Sequence, residues 1–226
     1  MFWHDHNPDV PEFSLGMAFV YVTSVMQIAG GVALLWRSSA LIGAIGIAVV
    51  YALFAVLSIP QIVAAPAVYN DWGNFFIQLS LASGGLILLG RTARAGSLLF
   101  GLCVISFALE QAFYLRATAS LVPAWIPPNP MFWAVLTTIA FALAAIALLS
   151  GYQALLASRL TALMLALFAV LVWAPVLGHA PTNHFDWSET METIAICGVA
   201  WIAADSLGKK PSASHGGPVC TDPSLS

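Results

Sequence analysis

The sequence predicts an all-α integral membrane protein of seven transmembrane helices, built as two parallel repeats. Three observations predict it. Sixty per cent of the 226 residues are apolar and 8% charged, with a mean hydropathy of +0.90, whereas in soluble domains about a quarter of residues are charged. Apolar stretches near the ~20 residues needed to cross a bilayer fall at 14–36, 39–59, 73–90, 95–115, 131–150, 155–177 and 188–206. Finally, Ala-Leu-Phe-Ala-Val-Leu occurs at 52–57 and again at 166–171, each copy leading at nearly the same distance to Asp-Trp, as Asp71-Trp72 and Asp186-Trp187.

The first span follows Met1-Phe-Trp-His-Asp-His, an acidic and aromatic start unlike the basic opening of a signal peptide. The second carries the first copy of the repeated string. In the third, the run from Trp72 to Gly90 has no charge. The fourth holds Glu110-Gln111 near its outer end, and the fifth follows a proline-rich loop. The sixth carries the second copy of the string. The seventh is the least apolar, because Glu189 and Glu192 lie in its first turns; it is predicted partly from the repeat. After Lys209-Lys210 the chain turns to Pro, Ser and Gly, a composition with too little apolar surface to fold.

The repeat offset of 114 to 115 residues matches spans one to three with spans five to seven. Both Asp-Trp pairs then face the same side, so the copies are parallel. Span four leads the second copy, and the first copy lacks its lead helix; either that helix was dispensed with or the sequence begins downstream of the natural start. The predicted units are a first repeat at 1–92, a second at 93–207 and a disordered cytoplasmic tail at 208–226.

Charge sets the orientation. Alternating loops place Arg37, Arg91, Arg94, Arg159, Lys209 and Lys210 on one side and only Arg116 on the other, so the first side is cytoplasmic and the N-terminus is outside. Asp5, Asp9, Glu12, Asp71, Asp186, Glu189 and Glu192 gather on the outer side. A net charge of −3 argues against nucleic acid as a partner; the partner is the lipid bilayer.

The loop Leu121-Val-Pro-Ala-Trp-Ile-Pro-Pro-Asn-Pro-Met-Phe-Trp133, running into the apolar helix to Leu148, resembles the Val-Pro-x-Trp-x-Pro loop and following helix of DoxX-like membrane proteins. The similarity covers residues 94–206 as a full four-helix unit, and Val10-Pro11 is a fainter echo in the first copy. Members often carry a His near the outer end of the unit's first helix, where this chain has Glu110-Gln111. The resemblance implies a bacterial cell-membrane protein linked to membrane redox systems, an accessory subunit with quinone as its small partner rather than a self-sufficient enzyme.

The residues offer their own candidates for a pocket opening outward. A charge at membrane depth costs roughly 2.5–3.5 kcal/mol at a helix centre, so an intramembrane carboxylate is retained for a partner or a function. Glu110 is placed about 9 Å below the outer surface by 1.5 Å per residue, with Gln111 beside it and Arg116 as its possible partner. Glu192 stands three residues after Glu189 and so shares its helical face. Asp186 as N-cap and Glu189 as its capping-box partner give those two a structural reading, as does capping by Asp71, with Asn74 and Gln78 following it. His184 with His179 flanks a proline before span seven; a metal there has no tight ligand spacing to support it, and no metal is predicted. Trp125, stiffened by Pro123, Pro127, Pro128 and Pro130, is expected to lie over the pocket. Cys103, Cys197 and Cys220 contain no Cys-x-x-Cys. Gly43, Gly46, Gly84 and Gly85 mark close helix contacts, and Trp36, Trp72, Trp133, Trp173 and Trp187 mark the membrane interfaces. Proton handling by these carboxylates in a small-solute transporter is the rival to the redox role; a structural scaffold is the third reading.

Overall fold

The structure, a computed structural model, describes residues 14–208; the N-terminal histidines and acids through Glu12, and the expected tail with Lys209, Lys210, His215 and Cys220, lie outside them. The described residues form helices and no strand: α1 (Ser14–Ala33), α2 (Ala40–Ala64), α3 (Tyr69–Leu88), α4 (Ala93–Phe113), the short α5 (Leu115–Leu121), α6 (Pro130–Ser150), α7 (Ala154–Phe168), which runs through a π-helical turn (Ala169–Trp173) into α8 (Ala174–His179), and α9 (His184–Gly208). Each expected apolar segment carries a long helix. Five of these are long and apolar enough to cross a membrane: α2, α4, α6, the α7–α8 rod and α9. The chain therefore has the makings of a multi-pass membrane protein.

The other two helices differ from that standard for separate reasons. In α1 the apolar stretch Ala18–Ala33 is shorter. α3 has the length but opens Tyr69-Asn-Asp-Trp-Gly-Asn, and its surroundings explain why this is tolerated. It packs against α2, α4 and α9 at the centre of the bundle, so protein rather than lipid covers most of it. Ser80 and Ser83 are fully buried there. Their hydroxyls donate to the carbonyls of Ile77 and Ser80, at 2.7 and 2.6 Å, which removes the cost of burying them.

Small residues let α3 approach its neighbours. A Cβ at Gly85 would stand 2.6 Å from the Ala44 carbonyl oxygen of α2, and one at Gly84 would stand 2.7 Å from a methyl of Val199 on α9. Gly43 likewise meets the Gly30 carbonyl, at 2.7 Å, which joins α2 to α1. Gly46 does not behave as expected: it faces open space, with nothing within 4 Å of its Cβ position.

The two Asp-Trp segments have the same local geometry. α2 and α8 both end on an alanine of unusual conformation, Ala65 at φ −137°, ψ 64° and Ala180 at φ −133°, ψ 64°. A proline follows in each, and the indole N–H of Trp72 donates to the Pro66 carbonyl at 3.2 Å as that of Trp187 does to Pro181 at 2.9 Å. Trp133 makes the same bond to Pro127, at 2.9 Å, before α6. The strings at Ala52 and Ala166 are 114 residues apart, whereas Pro60 and Pro175 are 115 apart. The extra residue falls at the π turn Ala169–Trp173, where α2 stays α-helical. A π turn holds one more residue per turn, so it absorbs the insertion without breaking the helix. It also carries Trp173 inward to 9% exposure rather than to the expected interface.

Helix starts correct two expectations: α3 begins at Tyr69 after Val68, so Asp71 stands in its first turn rather than at its cap, and α9 begins early. Asn183, not Asp186, caps α9: its Oδ1 accepts the Phe185 N–H at 3.0 Å. α9 therefore begins at His184 instead of 188, and Glu189 lies inside the helix rather than in a capping box. Asp186 keeps a first-turn position that suits the positive end of the helix dipole.

Candidate functional site

Three of the six residues singled out in the sequence come together. Glu110 of α4 lies over α3, where Gly73 makes room: a Cβ there would stand 2.5–2.6 Å from the atoms of its carboxyl group. Glu189 and Glu192 approach from α9. Glu110 lies in the field of Glu189, and Glu192 in the fields of both Glu189 and Glu110. Asp186 extends the acidic line, and its charge acts on Glu189. All three glutamates are partly buried. Glu110 stands one turn from the end of α4, which stops at Phe113 rather than at 115.

The neighbours of this cluster were not evident from the sequence. Tyr51 of α2 lies in the field of Glu192, and its hydroxyl donates to Gln27 Oε1 of α1 at 3.4 Å. Gln78, on α3, has a buried Oε1 with no hydrogen-bond partner among the described residues. Gly73 had one available signal, its place directly after Asp71-Trp72; Tyr51 had none, being one aromatic in an apolar helix. The carboxylates thus meet at a junction of α2, α3, α4 and α9. Among the described residues the charges that bear on Glu110 and Glu192 are those of other carboxylates, and Arg116 does not pair with Glu110.

The remaining three candidates lie elsewhere. Gln111, one residue and about 100° further round α4, faces α6; the hydroxyls of Thr137 and Thr138 stand 3.2 and 3.3 Å from its Oε1 and also reach the Ala134 carbonyl. It ties two helices together outside the acidic junction. His184 is exposed at the first residue of α9. Trp125 is 72% exposed, because the prolyl loop is held to α6 through Trp133 and through Asn129, whose Oδ1 accepts the Phe132 N–H at 2.8 Å.

Chemically, the arrangement gathers proton acceptors. Among the described residues no group of three or more His, Cys, Asp or Glu is placed to hold a metal ion. His179 is taken by the Pro175 carbonyl, 2.7 Å from its Nδ1. Cys103 is buried in α4, and the Cys197 thiol donates to the Ala162 carbonyl at 3.2 Å, so both thiols serve packing. Comparison with protein-family models, curated proteins and solved structures returned no match. Function must be argued from the junction itself.

Proposed function

We propose that the chain is a DoxX-like, seven-span protein of a bacterial cell membrane, N-terminus outside and C-terminus cytoplasmic, which handles protons at the Glu110–Glu189–Glu192 junction as a quinone-interacting accessory subunit of a membrane redox system. The single observation that carries the proton-handling role is the convergence of three carboxylates among apolar helices with no cation beside them among the described residues. Lipid penalises such groups, and where they persist they mark proton or ion paths. Quinone reduction consumes protons as well as electrons, which gives buried carboxylates a use beside a quinone.

The tandem architecture is part of the same proposal. It is supported by the matching Ala-Pro-to-Asp-Trp geometry and by the π turn at the point where the offset changes. A further support is that Gly84 and Val199, 115 residues apart, touch each other. Counterparts meet one another only at a two-fold axis; parallel repeats related by an axis along the membrane normal put α3 and α9 there.

That geometry also favours a second reading, a proton-coupled carrier of a small solute. The junction draws Tyr51 and Gly73 from the first half and the three glutamates from the second, and carriers bind substrate between their repeats. One experiment separates the two. The chain is affinity-purified from native membranes, with Glu110→Gln and Glu192→Gln beside it, and quinone content and accompanying subunits are measured. Quinone and redox subunits retained by the native chain, with quinone lost in the variants, supports the first reading. Neither retained, together with variant-sensitive proton uptake driven by a solute gradient in vesicles, supports the second.

A further inference from the structure

Arg116 is the one cation that the charge pattern leaves on the acidic side of the chain, and its surroundings give it a use. α4 ends at Phe113, Tyr114 breaks the helix at φ −106°, ψ 34°, and α5 starts at Leu115. Beside this break lies a groove of about 540 Å³, lined by Phe113, Tyr114, Arg116 and, from the start of α6, Met131. That volume lies in the range of small-ligand sites, about 300–1,000 Å³. Phe113, Tyr114 and Met131 are 67%, 39% and 42% exposed, so an apolar wall is open at the membrane boundary. Arg116 is exposed at its rim, and no carboxylate pairs with it among the described residues.

We propose that this groove holds one anionic glycerophospholipid, its phosphodiester on the Arg116 guanidinium and the upper part of its acyl chains against Phe113 and Met131. Charge complementarity selects the occupant. Asp71, Asp186 and the three glutamates lie towards this end of the bundle and disfavour an anionic headgroup beside them, whereas Arg116 attracts one. A guanidinium forms paired, charge-assisted bonds to phosphate oxygens. The apolar wall admits a lipid and gives a free anion nothing further to hold. The tyrosine at the break suits the same level, where aromatic residues with a polar tip collect. The groove begins one turn beyond Glu110 on α4, where the Phe113 ring also packs on Tyr69 of α3 with ring centroids 4.9 Å apart, but the proposal does not depend on the role given to the carboxylates.

The test uses the full chain in neutral detergent, titrated with phosphatidylglycerol, with phosphatidylcholine of the same acyl chains, or with inorganic phosphate, and read by native mass spectrometry. Phosphatidylglycerol is expected to bind the native chain in preference to phosphatidylcholine. Arg116→Gln is expected to weaken it about tenfold, and Arg116→Lys to keep most of it. A photoactivatable phosphatidylglycerol is expected to label the 113–131 stretch in the native chain and not in Arg116→Gln. Equal binding by Arg116→Gln, labelling confined to other helices, or full competition by inorganic phosphate at lipid-like concentrations would each overturn the proposal.

Discussion

The two Asp-Trp segments share a local backbone geometry, and the two halves of the molecule differ in what they place around it. Where α9 carries Glu189 and Glu192, the positions 115 residues earlier on α3 are Asn74 and Ile77. Where α4 covers α6, nothing comparable covers α1 among the described residues. Phe141 on α6 is 3% exposed and its counterpart Met26 is 41%; Ala134 is fully buried and its counterpart Phe19 is 38% exposed. On the tandem reading proposed above, the three matched helices are a scaffold, and the acidic chemistry stands on the second half around α4, which has no counterpart among the described residues. Glu110 itself comes from that helix.

The comparison makes α3 the more constrained of the two axis helices, and the largest effect is expected there. Gly85→Leu would drive side-chain atoms into the backbone of α2, where the Ala44 oxygen and the Ala48 nitrogen lie 2.6 and 2.9 Å from the new Cβ. Overpacking of this kind costs about 1–3 kcal/mol, and more when backbone must move. The variant should lose the monodisperse, cooperatively melting state in detergent. Gly198→Leu, on the α9 face that matches Ser83 of α3, meets open space and should melt like the native chain. Equal melting of the two variants would show that the crossing of α2 and α3 is looser than described.

The next effect concerns the acidic junction. Neighbouring carboxylates repel only when ionised, so Glu192→Gln should raise thermal stability by about 1 kcal/mol at alkaline pH and by less at neutral pH, while it abolishes any proton-linked readout. Sites kept for function at a cost in stability respond this way. A matching substitution in the first half, Asn74→Ala, removes no such repulsion and should not stabilise. If Glu192→Gln melts lower than the native chain, the glutamate is a structural group and the proposed site loses its main support.

How much of this was legible in the sequence follows from what each signal depends on. Helix positions came from apolar length, a local property, so the seven segments were found with ends a few residues out. α9 was placed late because its charged first turns hid the Asn183 cap. Glu110, Glu189 and Glu192 stood out because carboxylates are rare among apolar residues. Gln111 stood out for the same reason yet faces another helix, since one residue along a helix turns a side chain by about 100° and only packing decides which neighbour it meets. Tyr51 and the room left at Gly73 depend on contacts between helices far apart in the chain, which no spacing rule encodes.

The clamp between α4 and α6 offers a smaller effect, and one specific to the covered half. Interhelical hydrogen bonds in membranes average about 0.6 kcal/mol in double-mutant cycles. The coupling between Gln111→Ala and Thr138→Ala, measured as the departure from additivity in unfolding free energy, should be near that value. Thr23 of α1 is the counterpart of Thr138 and bonds back to the Phe19 carbonyl at 2.8 Å, so Gln111→Ala with Thr23→Ala should be additive. Coupling in the second cycle would mean that α4 and α1 communicate, and the contrast between the halves would weaken.

The smallest expected effect tests the equivalence itself. The Trp72 and Trp187 indoles each close a loop onto a proline carbonyl at 3.2 and 2.9 Å, in exposed positions. Replacing either by Phe keeps the aromatic ring and removes one hydrogen bond, worth about 0.5–1.5 kcal/mol; exposure leaves the carbonyl open to water and holds the cost at the low end. If the halves are copies of one unit, Trp72→Phe and Trp187→Phe should cost the same within error, and the double variant should cost their sum, because the two loops share no partner. Unequal costs would mean that one loop is held mainly by other contacts. A shortfall in the double variant would mean that the two loops touch each other.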